Sequence, residues 1–490
     1  MCYSNQALLS VAPKACPQPS SNIVSMNRFS GKIVRWLLVV AFAYLMAASA
    51  QAQGDKSPML QDLQVSRERY SATPSATPLV TKTAASAPLI ANPNNIRTLF
   101  PILADVQVPG NSGILIENLD GAIVLESNAS GAFNPASNVK IATAYAVLKT
   151  FGPDFRFRTD VYTDGALDTA TGTLTGNIYV SGKDPMFGYQ HAVAIAHELN
   201  RLGIRAVTGD LIVTDNFVMN YSSSPASSGQ ALLGTLNAAK RNAAATRNWN
   251  NHLSYSGKLG QVQGTPSVAF MGSAFVQPIP SNLTQLFYHE STQMRDILKA
   301  NLCYSNNFLS ERLGGLIGGP WAVARVVHQF ANIPPHELSL QTSSGLGINR
   351  VTPNAMMKLL RALRNDLAKY KMTFADIMPV AGVDKGTLED RFDTDFSRGT
   401  VVGKTGTLGN TDAGVSSLAG EMNTRNGRLL FVIFNQRGNV SRFRSFQNYF
   451  VSLVQGQMGG AAPLAYDPMS LETRLAKSRV VSPTAQPKSD

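Results

Sequence analysis

Apolar and polar residues are arranged along the chain in short runs that predict strands and helices. The stretch "SGILIENLDGAIVLES" holds two apolar runs joined by Asp120-Gly121, which predicts a β-hairpin. Much later, "TVVGKTGTL", "GVSSLAGEMN" and "GRLLFVIFNQ" predict three adjacent strands, and "RFRSFQNYFVSLVQ" predicts a closing helix. These elements predict a sheet with helices packed on it.

The segment "NPASNVKIATAYAVLK" predicts a helix that packs on the sheet. Asn134 is a suitable N-cap, Pro135 suits the first helical position, and Gly152 is well placed to end the helix. Ser137 and Lys140 are two polar residues near its start, where a helix that faces the core gains nothing from either.

Residues 156–289 have a different pattern and predict a smaller, mainly β inserted domain. Short β-type runs such as "GTLTGNIYVSG" surround one helical segment near residues 191–202, and residues 222–251 offer little to pack. Helical periodicity returns at "TQMRDILKANLCYSNNFLSERLGGLIGG". We therefore expect a discontinuous domain made of residues 95–155 and 290–460, and a flexible tail over residues 461–490.

The first residues of the sequence are typical of a secretory leader. A basic stretch precedes a short apolar run at residues 36–48, and Ala50-Gln51-Ala52 provides small residues for cleavage. We interpret residues 1–52 as a leader with a signal peptide, whose true start is Met26, and residues 53–94 as a disordered linker. A membrane anchor is the alternative, although the apolar run is short for a membrane span. The predicted location is periplasmic, with at most peripheral membrane association.

Charge and cysteine content exclude several classes of protein. The net charge of +12 favours binding to an anionic envelope surface. The sequence contains no basic block combined with aromatic residues, so nucleic-acid binding is not indicated. Without the leader, Cys303 is the single cysteine, so no intramolecular disulfide is expected. The six histidines form no His-Glu-x-x-His pattern, which argues against a metallopeptidase.

Ser137 and Lys140 could form a nucleophile and its base. A serine hydroxyl needs a base within hydrogen-bond reach, and residues three apart on a helix share a face. Lysine can act as that base only if burial or a nearby positive charge lowers its pKa. The pair alone is a short motif that also arises by chance, so a structural role remains open at this point.

Two further motifs support the catalytic interpretation. Ser305-Asn306-Asn307 stands directly ahead of a helical run, and Lys404-Thr405-Gly406 falls on a predicted strand. Taken singly, the first could be a helix cap and the second part of an edge strand. Together with Ser-x-x-Lys, and in this order, they are the three signatures of penicillin-recognising serine enzymes.

The sequence resembles the class C low-molecular-mass penicillin-binding proteins, which are D-alanyl-D-alanine carboxypeptidase/endopeptidases. "NPASNVKIATAYAVLKTFGPDFRFRT", "SSGLG", "PVAGVDKGTL" and "GVSSLAG" are similar to family stretches, and the resemblance covers roughly residues 110–215 and 295–435. It implies an α+β fold: a penicillin-binding/β-lactamase-like transpeptidase domain, with an antiparallel sheet flanked by helices, interrupted by the inserted domain.

The resemblance also implies roles in acylation. Ser137 would attack the carbonyl of a D-Ala-D-Ala bond or of a β-lactam, and Lys140 would take its proton. Ser305 would relay a proton to the departing amine, while Asn307 would hold Lys140 and the substrate amide. Peptidoglycan stem peptides would be the substrates and β-lactam antibiotics the inhibitors, and no metal or cofactor would be required.

Lys404 would take part in catalysis, while Thr405, Gly406 and Thr407 would bind the substrate. Lys404 would supply positive potential and help lower the pKa of Lys140. Thr405 and Thr407 would hydrogen-bond the substrate carboxylate. The backbone N–H groups of Ser137 and Thr407 would form the oxyanion hole.

The sequence departs from the family pattern in several places. The insertion between Lys140 and Ser305 is shorter than usual, and residues 409–413 lengthen the connection after the Lys-Thr-Gly strand. Thr342-Ser343 replaces the family's usual Asp-Gly, and Lys385 interrupts its usual Val-Asp-Gly-Thr-Leu. These changes put substrate preference in doubt more than the reaction.

A serine β-lactamase and a non-catalytic peptidoglycan-binding module are the alternatives. The preference between carboxypeptidase and endopeptidase activity stays open.

Overall fold

A seven-stranded antiparallel sheet forms the centre of the larger core of the protein. The structure, a computed structural model, describes residues 90–91 and 95–483; the predicted leader and nearly all of the predicted linker lie outside these residues. In spatial order the strands are Ile90–Ala91, Arg97–Thr98, Ile123–Ser127, Asn111–Asn118, Gly427–Gln436, Val415–Thr424 and Val401–Leu408.

The strands predicted from the apolar pattern are confirmed. Asn111–Asn118 and Ile123–Ser127 form the hairpin around Asp120-Gly121, and the three late strands are adjacent. Asn111–Asn118 pairs with Gly427–Gln436, so that Ile116 lies opposite Phe431. This pairing joins the two predicted segments, residues 95–155 and 290–460, in one sheet.

The sheet is covered by helices on both faces. In Gly427–Gln436, Leu430, Val432 and Phe434 pack into the larger core, whereas Leu429, Phe431 and Ile433 belong to the core on the opposite face. Because successive strand residues point to opposite faces, the unbroken run "LLFVIF" fits a strand buried on both sides.

Most of the helices of this part belong to the larger core. The helices are Pro101–Ala104, Val139–Phe151, Met294–Tyr304, Asn307–Gly315, Gly319–Phe330, Pro353–Lys369, Val440–Gln457 and Leu471–Leu475. Val440–Gln457 packs on the opposite face through Phe446, Phe450, Val451 and Val454, as the sequence predicts. No helix among the described residues is long and apolar enough to cross a membrane.

Residues 156–289 contribute strands to two further sheets and contain more helix than expected. A six-stranded sheet contains Ala274–Val276, Leu211–Val213, Ile178–Gly182, Arg158–Thr163, Thr284–Glu290 and Arg479–Val481; a four-stranded sheet contains Ala269–Phe270, Ala206–Val207, Thr173–Thr175 and Ala166–Asp168. The predicted helix is present as Tyr189–Arg201.

The stretch at residues 222–251, which offers little to pack in the sequence, forms two further helices. Pro225–Leu236 is capped by the Ser224 side chain and Ala243–Tyr255 by the Asn242 side chain. Leu232 packs into the core of the insert. Trp249 and Leu253 of the second helix pack with Val193 in a smaller cluster.

The prediction of a flexible tail is wrong for residues 461–483. Leu471–Leu475 is a helix, and the guanidinium of Arg474 donates to Asp296 over 2.7 Å in a buried ion pair. Arg479–Val481 adds an antiparallel edge strand to Thr284–Glu290. Residues 461–483 contain few apolar residues, so hydrophobic periodicity in the sequence does not predict this packing. Residues 484–490 lie outside the described part of the chain.

Candidate active site

Ser137 lies in a strained turn that opens onto a cleft. A 3₁₀ turn at Ala136–Asn138 precedes the helix Val139–Phe151, and Ala136 has a φ of +46°, unusual for a residue with a side chain. The Asn134 side chain accepts a hydrogen bond from the Ala136 N–H over 3.0 Å. Asn134 therefore supports the turn that presents Ser137, and the prediction that it caps the helix itself is wrong, because the helix begins at Val139 and not at Pro135.

Lys140 is buried beside the Ser137 hydroxyl. Its Nζ lies 3.0 Å from Ser137 Oγ, 2.7 Å from Asn307 Oδ1 and 2.6 Å from the Ser344 carbonyl. Burial lowers the pKa of Lys140 to about 7, and the charge of Glu311 opposes that shift. A neutral amine can donate to the amide and carbonyl oxygens, which leaves its lone pair for the serine proton.

The Ser344 carbonyl is a part of the site that the sequence motifs do not reveal. Glu311 accepts hydrogen bonds from the backbone N–H groups of Ser343 and Ser344, and Thr143 Oγ1 donates to the Ser343 carbonyl over 2.7 Å. These contacts hold the Ser344 carbonyl on Lys140. Glu311 follows Asn307 by four residues on the same helix, so the two side chains share a helix face.

Ser305 and Asn307 reach the cleft through a sharp turn between two helices. Ser305 ends the helix Met294–Tyr304 in the left-handed conformation, with a φ of 55°. Asn306 then caps Asn307–Gly315 by accepting the Leu309 N–H over 2.9 Å. The helix-cap interpretation therefore holds for Asn306, while the residues on either side of it line the cleft.

Lys404 is fully buried on the edge strand Val401–Leu408. Its Nζ donates to Ser305 Oγ over 2.9 Å and to the Thr405 carbonyl over 2.7 Å. Burial, followed by the positive charge of Lys140, holds the pKa of Lys404 well below its usual range. The charge of Lys140 therefore favours the neutral form of Lys404, whereas burial alone accounts for the lowered pKa of Lys140.

The edge strand turns backbone donors toward Ser137. The Gly403 N–H points away from the neighbouring strand, at the open edge of the sheet, and donates to the Pro379 carbonyl. Strand N–H groups alternate in direction, so those of Thr405 and Thr407 point out of the same edge. A Cβ on Gly406 would lie 2.9 Å from Ser137 N. The strand and the nucleophile turn are therefore in close contact.

The cleft has a volume of about 640 Å³ and contains more than the predicted residues. Ser137, Ser305, Asn307, Thr405, Gly406 and Thr407 line it, whereas Lys140 and Lys404 lie buried behind its surface. The remaining lining residues are Gly386, Thr387, Asp390, Arg391, Arg444, Ser445 and Asn448. Of these, Arg391 and Arg444 add positive charge that the motifs do not indicate.

The lengthened connection at residues 409–413 packs beneath the nucleophile turn. It contains the 3₁₀ turn Thr411–Ala413, and Asp412 accepts from Asn134 Nδ2 and from Arg350 Nη2, each over 2.8 Å. This departure from the family pattern therefore supports Asn134, the residue that caps the turn at Ser137.

Cys303 has the environment of a buried packing residue. Burial raises the pKa of the Cys303 thiol to about 12, so it is not an activated nucleophile. Among the described residues, no group of three or more His, Cys, Asp or Glu side chains is arranged to hold a metal ion.

A serine paired with a buried lysine, on an antiparallel sheet between helical layers, defines a serine hydrolase with the penicillin-binding fold. The sequence matches the D-Ala-D-Ala carboxypeptidase 3 (S13) family over residues 97–230 and 231–448. The chain belongs to this family of serine peptidases.

Individual relatives support the same fold. The chain is 24% identical over 436 residues to the D-alanyl-D-alanine carboxypeptidase of Actinomadura sp. (strain R39), covering 68% of this chain and 79% of the relative. It resembles the penicillin G-acylated Bd3459 predatory endopeptidase of Bdellovibrio bacteriovorus, in complex with its immunity protein, with a TM-score of 0.64 and 21% identity over 76% and 98% of the two chains. It also resembles penicillin-binding protein 4 of Haemophilus influenzae, with a TM-score of 0.54 and 20% identity over 73% and 99% of the two chains.

Proposed function

We propose that the protein is an exported DD-peptidase that cleaves D-Ala-D-Ala ends, D-Ala-diamino acid cross-links, or both, in periplasmic peptidoglycan, and that β-lactams acylate it. The observation that carries the proposal is the 3.0 Å contact between Lys140 Nζ and Ser137 Oγ, at a lysine whose pKa is lowered to about 7. The leader-like residues 1–52 support export. The penicillin-acylated relative supports β-lactam binding.

The proposed reaction has two steps. Lys140 accepts the Ser137 proton as Oγ attacks the carbonyl carbon, and the N–H groups of Ser137 and Thr407 stabilise the negative oxygen. Ser305 then relays the proton held by Lys140 to the leaving amine, so that the scissile C–N bond breaks, Lys140 becomes neutral again and an ester remains on Ser137. Water hydrolyses the ester to a carboxylic acid and restores the serine hydroxyl.

Intact-mass measurement with benzylpenicillin tests this proposal. The wild-type protein should gain the mass of one penicillin and keep it, and Ser137→Ala should gain none. No adduct on either protein would refute the proposal, and an adduct that disappears within seconds would favour a β-lactamase. A cross-linked muropeptide compared with a free pentapeptide would then separate endopeptidase from carboxypeptidase activity.

A further inference from the structure

The loop at residues 384–387 forms a wall of the cleft beside Ser305. Gly386 and Thr387 line the cleft together with Ser305. The Thr387 N–H donates to the Cys303 carbonyl over 2.9 Å. Gly386 has a φ of +120°, and a Cβ at this position would lie 2.3 Å from the Cys303 carbonyl oxygen. The loop is therefore in close contact with the last turn of the helix that ends at Ser305.

A buried ion pair joins the loop to the same helix. Lys299, which lies on that helix, donates from Nζ to Asp384 Oδ2 over 2.6 Å, and both side chains are buried. Lys299 Nζ also donates to two backbone carbonyls over 2.7 and 2.6 Å. The Val380 N–H donates to the same carboxylate oxygen over 2.8 Å. Asp384 therefore fixes the start of the loop relative to the helix that carries Ser305.

Tyr466 completes this anchor from the C-terminal segment. Its hydroxyl donates over 2.8 Å to Asp384 Oδ1, the carboxylate oxygen that Lys299 does not contact. Its ring centroid lies 5.0 Å from Lys299 Nζ. Burial, and then the charge of Asp384, raise the pKa of Tyr466, so that its hydroxyl stays protonated and remains a donor. The residues matched to the family end at 448, so Tyr466 belongs to a segment beyond that match.

A second contact links the C-terminal segment to the loop. Lys385, the residue that interrupts Val-Asp-Gly-Thr-Leu, places its Nζ 3.7 Å from Glu472 Oε1. Glu472 belongs to the helix Leu471–Leu475, which is held by the buried ion pair of Arg474 with Asp296. Because the ammonium of the first pair is exposed, we expect this contact to contribute less than the tyrosine hydroxyl does.

We propose that Tyr466 is a positioning residue for Ser305: its hydroxyl holds Asp384, and the loop that begins there keeps Ser305 where it relays a proton to the leaving amine. This inference rests on the proposed DD-peptidase function. Tyr466 does not line the cleft, so it acts through Asp384 and not on the substrate. The C-terminal segment thereby takes part in the expulsion of the leaving group.

Two substrates with the same acyl group test the inference. One is an acyl-D-Ala-D-Ala peptide, whose amine must be protonated to leave, and the other is the matching acyl-D-Ala thioester, whose thiolate leaves without a proton. Tyr466→Phe keeps the ring and removes the hydroxyl. It should lower kcat/KM for the peptide by about 10-fold and change that for the thioester by less than about twofold, because only the peptide needs a proton relay. Both values are measured on one sample, so their ratio does not depend on the fraction of folded protein.

Tyr370→Phe is the matched control, because it removes a hydroxyl from an exposed ring that does not line the cleft. It should keep the wild-type ratio of the two kcat/KM values, and Glu472→Gln should change that ratio less than Tyr466→Phe does. Equal losses for peptide and thioester in Tyr466→Phe, or no loss for either, would overturn the inference while leaving the proposed function intact. A wild-type protein that neither cleaves the peptide nor reacts with benzylpenicillin would overturn both.

Discussion

Replacing Gly406 by alanine tests whether the edge strand and the nucleophile turn must touch for the reaction to occur. A Cβ at this position would lie 2.1 Å from Ser417 Oγ, 2.7 Å from the Pro135 carbonyl oxygen and 2.9 Å from Ser137 N. Ser417 Oγ cannot move freely, because it donates to the Pro135 carbonyl over 2.6 Å.

The size of the effect follows from these contacts. Unbonded heavy atoms normally stay about 3.5 Å apart, so the edge strand and the Ser137 turn must separate by roughly half an ångström or more. That movement displaces the Thr407 N–H from the Ser137 N–H. Misplacement by about 1 Å can cost a reaction roughly 100-fold, so we expect Gly406→Ala to acylate with benzylpenicillin about 10- to 100-fold more slowly.

The assay is the second-order rate of benzylpenicillin acylation, measured by intact mass. Gly409→Ala is the control, since no atom lies within 4 Å of a Cβ at that position, and it should react at the wild-type rate. Adding Ser417→Ala to Gly406→Ala should restore only part of the rate, because the two backbone contacts remain. A Gly406→Ala protein with an unchanged rate would refute the reasoning, as would full recovery in the double variant.

Three further predictions concern pH and stability. Acylation should accelerate as pH rises through about 7, because only neutral Lys140 accepts a proton and its pKa is lowered to about 7. Lys299→Met should lower the free energy of unfolding, measured in urea, by about 3–5 kcal/mol, because it removes the cation that pairs with the buried Asp384 carboxylate. Lys385→Met removes an exposed ion pair with Glu472 and should lower the free energy of unfolding by less than about 1 kcal/mol. Burial lowers the pKa of His289 to about 3. Below about pH 6.5 the unfolded chain therefore binds a proton that the folded chain does not. The free energy of unfolding should decrease as pH falls below that value, by up to about 1.4 kcal/mol per pH unit. This decrease should be smaller in His289→Phe.

Each of these three predictions has an outcome that contradicts it. A pH-independent acylation rate would show that Lys140 is not the base. Equal urea midpoints for Lys299→Met and Lys385→Met would show that the buried ion pair contributes nothing to stability. Parallel stability curves for the wild type and His289→Phe between pH 6.5 and 4 would show that His289 does not take part in acid unfolding.

The sequence was sufficient to predict the sheet and the three motifs because their signals are local. Asp120-Gly121 marks a hairpin wherever it stands between two apolar runs, and Ser137 with Lys140 must share a face of any helix. The hydrogen bond between Lys404 and Ser305 could be expected only from the family resemblance. No pattern in the sequence specifies a contact between residues so far apart along the chain.

Other parts of the site could not be predicted, for physical reasons. The Ser344 carbonyl is a backbone group, so no residue type reveals its contact with Lys140. The position of Arg444 depends on how the helix Val440–Gln457 lies against the edge strand, which periodicity along the helix does not determine. The helices at residues 225–236 and 243–255 bury few large side chains, so their apolar pattern is weak.

The pairing of Arg479–Val481 with Thr284–Glu290 also has a consequence for shortened forms of the chain. The partners Glu290 and Arg479 are 189 positions apart in the chain. A chain cut before residue 479 leaves Thr284–Glu290 as an open sheet edge, with which another chain can pair. Such a chain should therefore be more prone to aggregate than the full one.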